Sequence, residues 1–329
     1  MTHKESCSAR LGRVGGQAVL EGVMMKSGER TALAVRDESG AIRTSVETHT
    51  SVRKKYKFLN IPLVRGVVNF VETMILSYNT LMQSADMLGI DDAAEDTKFE
   101  AWLRSKWGDK LMSVLMGIAT VLGLVVGLGL FLYLPAFVTK WLDSLLGGIG
   151  WFRNVVEGVM KIAIFVAYIA LCSLMKEMRR TFEYHGAEHK SIACYESGME
   201  LTPDNAATCT RFHPRCGTSF LFVILILSIL VNSLISWENL ALRVVLKVLL
   251  LPVIVGLGFE FIMYAGKHTN AFTRILSAPG LWMQRITTRE PDEEQLEIAI
   301  TALKLAMPDE FPPMTEEMED SADAEDAAE

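Results

Sequence analysis

The longest stretch without a charged side chain constrains this sequence more than any other feature. It runs from Leu111 to Val138 and covers 28 positions. A straight helix of that length is ~42 Å long, whereas the hydrocarbon core of a bilayer is ~30 Å thick. A second stretch, from Thr218 to Trp237, has no charge over 20 positions. Both stretches predict transmembrane helices.

Two other apolar stretches are long enough to span a bilayer but contain charges. Val155–Met175 carries one Glu and one Lys near one end, and Val244–Tyr264 carries a Lys near its start and Glu260 near its finish. Charged side chains close to the end of a span can reach the interface. The alternative is a pair of buried helices in a soluble core. Because they accompany two clear spans, we expect both stretches to cross the membrane.

These patterns predict a mainly α fold. The expected architecture is a polytopic membrane bundle of four transmembrane helices, with a small N-terminal cytoplasmic β-hairpin and amphipathic cytoplasmic helices. Six Lys or Arg residues lie in the segment 176–218 and two in the loop 139–154. Since cytoplasmic loops are enriched in Lys and Arg, we predict a multi-pass cell-membrane protein with segment 176–218 and both termini in the cytoplasm. Cysteines on that side are expected to be free thiols or metal ligands.

Outside the spans, the clearest local pattern is a β-hairpin. The β-prone runs Thr31–Arg36 and Ala41–Thr48 flank a turn that contains a glycine. The glycines that precede this hairpin, from Gly15 to Gly22, lack the spacing of a nucleotide-binding loop. We therefore predict that they form a tight turn.

Composition divides the chain into five parts. The last 21 residues contain ten acids and no Lys or Arg, which leaves the rest with a net charge of +3 (32 − 29). This tail is expected to be disordered and solubilising. The first predicted part is a cytoplasmic N-terminal segment with the hairpin (1–58), followed by an amphipathic helix starting near Pro62 with an acidic linker (59–110). The transmembrane bundle, including segment 176–218, covers 111–264. Cytoplasmic C-terminal helices ending in a surface helix (265–308) and the acidic tail (309–329) complete the chain.

The residues best suited to chemistry lie in segment 176–218. His185 and His189 are four positions apart, so on a helix they project from one face, as two metal-binding imidazoles require. Glu188 completes the pattern H-x-x-E-H, in which inverted zincin peptidases use the Glu as a general base. The alternative is a pair of surface histidines on a charged helix.

Further ligands are expected where the topology brings polar residues to the same membrane boundary. His213 and Cys216 lie directly before the span at Thr218–Trp237, Glu260 lies near the end of the last span, and His268 follows it by a few residues. Each has an alternative interpretation: a packed turn for His213 with Cys216, and a buried partner of an Arg or Lys for Glu260. We predict that the metal ligands come from His185, His189, His213, Cys216, Glu260 and His268, that Glu188 is catalytic, and that the metal is divalent and of the zinc type.

Several motifs in this order resemble those of the YqhQ-like family. They are Gly15–Met25 (GGQAVLEGVMM), Tyr184–Lys190 (YHGAEHK), Arg211–Thr218 (RFHPRCGT), and Pro279–Gln284 (PGLWMQ) followed by Thr287–Pro291 (TTREP). The resemblance runs from about Gly12 to about Ala306. That family is a bacterial domain of unknown function, usually described as a predicted metal-dependent enzyme. The resemblance implies an integral membrane protein with a metal site and supplies no substrate.

The function predicted from these residues is a membrane-embedded, metal-dependent hydrolase, with peptide hydrolysis as the most specific reaction that H-x-x-E-H indicates. The main alternative is a non-catalytic membrane scaffold or assembly factor, in which a closed four-ligand metal site is structural. A metal-ion carrier ranks last, because the charge-free spans offer few polar side chains. The expected partner is the lipid bilayer; protein partners at the N-terminal segment and self-association are left open, and no nucleic acid is expected.

Overall fold

The N-terminal region is a four-stranded antiparallel sheet in which sequence neighbours pair in order. The computed structural model of the protein describes residues 10–89, 109–235, 240–265 and 270–312. Its strands are β1 (Val14–Val19), β2 (Gly22–Ser27), β3 (Arg30–Arg36) and β4 (Ile42–Thr48). The hairpin expected from the sequence is therefore confirmed as β3 and β4, within a larger sheet.

The glycine-rich segment before that hairpin contains the predicted tight turn only at its end, because its first two glycines lie in a strand. Gly15 and Gly16 lie within β1, where they pair with Lys26 and Met25 of β2. The turn between the strands falls instead at Glu21, whose φ of 47° is left-handed. Its geometry is held because the carbonyl of this residue accepts the backbone N–H at the end of β3.

The remainder of the described chain is helical, and eleven α-helices occur in it. They are α1 (Val52–Lys55), α2 (Val64–Met87), α3 (Asp109–Leu128), α4 (Leu134–Leu145), α5 (Arg153–Cys172), α6 (Lys176–Glu196), α7 (Pro203–Thr208), α8 (Gly217–Ser233), α9 (Leu240–Ala265), α10 (Ala271–Thr287) and α11 (Glu293–Ala306). Short 3-10 turns at Lys57–Asn60 and Gly150–Phe152 precede α2 and α5, and a π-turn at Gly129–Tyr133 joins α3 to α4.

Helices cover both faces of the sheet. Residues 31–35 of β3 are all buried, because alternate side chains enter two separate interiors. Ala32 and Ala34 pack in the larger interior with α6 and α11, whereas Leu33 and Val35 pack on the other face, where Leu76 of α2 also lies. This arrangement explains why β3 lacks the alternation of a half-exposed strand.

The C-terminal helix α11 lies in the larger interior and is not the surface helix expected from the sequence. At its start Asp292 caps the helix, and the side chains of Asp292 and Gln295 form a reciprocal capping box. However, Leu296, Ile300 and Leu303 are buried between the sheet and α6. Apolar residues occur on more than one side of this helix, so burial on two sides stabilises it more than a surface position would.

Three helical stretches are long and apolar enough to cross a membrane: Gly117–Leu145, Arg153–Cys172 and Val245–Ala265. The first runs continuously through the π-turn, and Pro135 does not end it because it lies in the first turn of α4. The fourth expected span is less clear. Its helix, α8, has 17 residues and is therefore ~25 Å long, shorter than a typical hydrocarbon core.

Small residues and buried ion pairs join the apolar helices to one another. In α5, Glu157 accepts from Lys161 of the same helix at 2.6 Å and from Lys247 of α9 at 2.9 Å.

The amphipathic helix predicted near Pro62 is confirmed as α2. It packs on α9, where a Cβ on Gly66 would lie 2.9 Å from the Cα of Gly256.

Candidate metal centre

Two imidazoles and one thiol converge at the centre of α6. The rings of His185 and His189, one helical turn apart, have centroids separated by 4.4 Å. His185 Nε2 lies 3.2 Å from the Sγ of Cys216. One ligand atom from each of the three residues lies within 4.8 Å of the other two. The H-x-x-E-H motif and the RFHPRCGT motif are therefore brought together, as the sequence predicts.

Backbone carbonyls fix the orientation of both imidazoles. His185 Nδ1 lies 2.8 Å from the carbonyl oxygen of Thr287, and His189 Nδ1 lies 2.6 Å from that of Arg211. A carbonyl oxygen can only accept a hydrogen bond, so each Nδ1 carries the proton. In a neutral imidazole of this tautomer the Nε2 lone pair is available to a cation, and an Nδ1–H held by a carbonyl is typical of metal-binding histidines.

The electrostatic surroundings favour the uncharged form of the second histidine. Burial lowers the pKa of His189, and the neighbouring His185 lowers it further, against the opposing effect of Cys216. The thiol itself lies at the N-cap of α8. Neutral imidazoles and a thiolate are the protonation states that bind a metal ion.

A buried glutamine holds the loop that carries the thiol. Gln284 of α10 is completely buried. Its side-chain oxygen accepts the backbone N–H of His213 at 2.8 Å, and its amide nitrogen donates to the carbonyl oxygen of the same residue at 2.7 Å. It also donates to the hydroxyl of Ser219 at 3.1 Å. One side chain thus fixes the peptide groups on both sides of His213, three residues before Cys216.

Close packing explains the glycine inside the H-x-x-E-H motif. A Cβ on Gly186 would lie 1.9 Å from the carbonyl oxygen of Arg289. The N–H of Arg289 donates to the carbonyl of Phe182 at 2.8 Å. The segment after α10 therefore lies directly against α6, which brings the carbonyl of Thr287 within reach of His185.

The N-terminal sheet also packs against α6 and contacts the acidic residue of the motif. Glu188 is buried against Gly16, whose backbone N–H donates to its carboxylate. Burial raises the pKa of Glu188 to about 7, and the nearby His185 opposes this shift. At the end of β1, the carboxylate of Glu21 accepts from Arg180 at 2.6 Å. The GGQAVLEG motif thus positions both the helix and its acidic residue.

The other predicted ligands lie apart from the three converging residues. His213 has its ring centroid 5.6 Å from that of His189, but its Nε2 faces Arg215 at 3.2 Å and Glu196 at 3.5 Å. Glu260 accepts from the guanidinium of Arg65 at 2.7 Å, which matches the alternative interpretation of a paired carboxylate. His268 lies outside the described residues.

Sequence reasoning missed the groups that orient the imidazoles. Main-chain carbonyls of Arg211 and Thr287 have no residue-type signature, so no pattern could identify them. Gln284 and Thr287 do lie within the PGLWMQ and TTREP motifs of the family resemblance. A buried polar residue inside such a motif is the signal that could have indicated a role near the histidines.

Comparisons with known proteins agree with the resemblance seen in the sequence. Residues 61–309 match a family model described as a protein of unknown function, DUF1385. An uncharacterised protein, YqhQ of Bacillus subtilis (strain 168), is 32% identical over 291 residues, which cover 87% of this chain and 89% of that protein. No solved structure matches significantly. The chain belongs to the DUF1385 family.

Proposed function

We propose that His185, His189 and Cys216 bind a divalent metal ion of the zinc type, and that the protein is a metal-dependent hydrolase. The observation that carries the proposal is that ligand atoms of both imidazoles and of the thiol lie within 4.8 Å of one another, while carbonyls hold both Nδ1 atoms. A thiol has a single proton to donate. Without a cation, at least one of the two Nε2 lone pairs would therefore lack a partner in a buried site.

The donor set fits a zinc-type ion. Zn–N distances of ~2.0–2.1 Å and Zn–S distances of ~2.3 Å place the nitrogen and sulfur atoms of a tetrahedral site roughly 3.5 Å apart. His185 Nε2 and Cys216 Sγ are 3.2 Å apart, so a small adjustment accommodates the ion. Nitrogen and thiolate ligands favour zinc over magnesium or calcium, which prefer oxygen.

Three protein ligands are typical of catalytic zinc sites, because the fourth position is kept for water or substrate. A metal bound here would supply Lewis-acid polarisation of a substrate carbonyl. Glu188, which precedes His189 in the H-x-x-E-H pattern, would take the proton from the attacking water and return it to the leaving group. We propose peptide or amide bonds as the substrate class, on the basis of the H-x-x-E-H pattern.

The test begins with metal analysis of the full-length protein purified in detergent. We expect one equivalent of metal in the wild type and in Glu188→Gln, and its loss in His189→Ala. His49→Ala is the matched control, because His49 is exposed at the end of β4. Carefully prepared wild-type protein without stoichiometric metal would refute the metal site.

Catalysis is tested separately with a fluorogenic peptide library. We expect cleavage by the wild type that stops with a chelator and returns with zinc, and no cleavage by metal-loaded Glu188→Gln. Metal binding without cleavage would support the alternative, a scaffold whose metal is structural. What supports that alternative is that one metal ion bound by these three residues would connect α6 to the loop before α8.

We also propose that the chain crosses the membrane four times, with both termini in the cytoplasm. The sheet, α6 and α11 share the larger interior, so these three parts lie on the same side of the membrane. An even number of crossings must therefore separate α6 from α11, and α8 and α9 would supply them as a pair. Membranes adapt to a short span such as α8 by local thinning.

The Lys and Arg residues of segment 176–218 favour the cytoplasm for the side on which the sheet lies. Reporter fusions test this topology. A reporter at the C-terminus should report the cytoplasm, and one inserted at 236–239 should report the opposite side. The same location for both reporters would contradict the four-span arrangement.

A further inference from the structure

A cavity rich in arginine adjoins the metal centre. It has a volume of about 430 Å³ and lies between the end of α5, the middle of α6 and the segment that follows α10. Such a volume is within the range of small-molecule sites. Its lining includes four arginines and two glutamates, a net charge of +2 (4 − 2); these are Arg179, Arg211, Arg285, Arg289, Glu183 and Glu290.

The two carboxylates are already engaged. Glu183 pairs with Arg179 at 3.3 Å. Glu290 is shared between Arg211 at 3.1 Å and Lys190 at 2.8 Å, and it therefore faces two positive charges. The cavity wall thus has more positive charge than its own carboxylates neutralise.

The remaining arginines have donors to spare. Arg285 is exposed and Arg289 half-buried, and within the described residues neither forms an ion pair with a carboxylate. Arg289 donates to the carbonyl of Ser173 at 3.2 Å, but its Nε–H is buried and has no hydrogen-bond partner among the described residues. The same is true of the Nε–H of Arg211. Buried donors without partners are costly unless a ligand or water accepts from them.

The cavity also lies at the end of an apolar helix. Ser173, in its wall, directly follows α5, one of the three stretches able to cross a membrane. Helix α10, which supplies Arg285, exposes Phe272, Ile275 and Trp282 along one face. An exposed apolar face of this kind is typical of a helix that lies at a membrane surface.

We propose that this cavity binds a phosphate group, carried either by the headgroup of an anionic phospholipid or by a soluble compound. Arginine suits phosphate because its planar guanidinium donates two parallel hydrogen bonds to two phosphate oxygens. A phosphate would neutralise the excess charge and accept from the unpartnered Nε–H groups. This site is independent of the metal centre, although Arg211 contributes its carbonyl to one and its side chain to the other.

The test uses the full-length protein in detergent and two probes. Inorganic phosphate is followed by equilibrium dialysis, and phosphatidylglycerol, with phosphatidylcholine for comparison, by native mass spectrometry. We expect Arg285→Gln to weaken binding by at least ~10-fold, because a hydrogen bond to a charged group is lost. Arg43→Gln is the matched control, since it removes an exposed arginine of β4. Arg285→Lys should retain part of the affinity, because it keeps the charge and loses the fork.

Each outcome decides the proposal. If the wild type binds phosphatidylglycerol but not inorganic phosphate, and Arg285→Gln weakens that binding, the ligand is a lipid headgroup. If the wild type also binds inorganic phosphate, and Arg285→Gln weakens that binding too, the site takes a soluble phosphate compound. Failure of the wild type to bind either probe, or equal binding by Arg285→Gln, overturns the proposal. Misfolding does not confuse the result, because Arg285 is exposed and an unchanged melting temperature verifies its variant. Arg289→Gln provides a second variant at the buried side of the cavity.

Discussion

The buried amide of Gln284 offers the sharpest test of how the loop before α8 is held. Replacing it by Leu keeps the approximate volume but removes the acceptor for the N–H of His213 and the donor for its carbonyl. Each buried backbone group left without a partner costs ~1–3 kcal/mol, so we expect a loss of about 2–6 kcal/mol in the free energy of unfolding. At ~2–4 °C per kcal/mol, the melting temperature should fall by roughly 4–24 °C.

The assay combines thermal unfolding in detergent with alkylation of Cys216, followed by mass spectrometry. Because the loop loosens, this buried thiol should react faster in Gln284→Leu than in the wild type. Gln83→Leu is the matched control: Gln83 is half-buried and bonds to polar side chains of β4, which can turn to water. If Gln284→Leu melts as the wild type does, the proposed role of the amide is refuted.

Three further predictions concern the sheet, the apolar helices and the thiols. Gly16→Ala should lower the melting temperature and Gly15→Ala should not, because a Cβ meets three atoms at 2.8 Å at the first position and nothing within 4 Å at the second; equal melting would contradict this packing. Glu157→Gln should cost ~3–5 kcal/mol in detergent unfolding, since it removes the carboxylate that two lysines share; a wild-type melting curve would disprove it. Burial raises the pKa of Cys194 to about 12, so at about pH 8 iodoacetamide should label half-exposed Cys209 first, and labelling of Cys194 should rise only at much higher pH; the reverse order would count against that burial.

The apolar helices could be predicted from the sequence because a helix able to cross a membrane lacks charge over most of its length. Their ends could not. The charge-free stretch continues to Trp237, but helix α8 ends at Ser233, where the N–H of Leu234 turns back to the carbonyl of Val231. Hydropathy measures how apolar a segment is and does not record where its hydrogen bonding changes.

The candidate site could be predicted only in its side chains of distinctive chemistry. The sequence indicates His185, His189 and Cys216 because imidazole and thiol groups are uncommon, and because the two histidines are spaced to share one helix face. The sequence does not show why residue 16 is a glycine, because the space for a side chain there is taken by Glu188, on a helix distant in sequence. Similarly, the partner of Glu260 is Arg65, 195 positions away. Such pairings depend on tertiary contacts that local patterns do not contain.

The shared interior of the sheet, α6 and α11 also sets an order for assembly during synthesis. The strands leave the ribosome well before Glu293–Ala306, which covers one face of the sheet. Until then, apolar side chains of β2 and β3 have no permanent cover, and such surfaces are prone to aggregate. The apolar helices between the sheet and α11 are therefore synthesised while the N-terminal sheet is still unfinished, and its larger interior closes only once α11 has emerged.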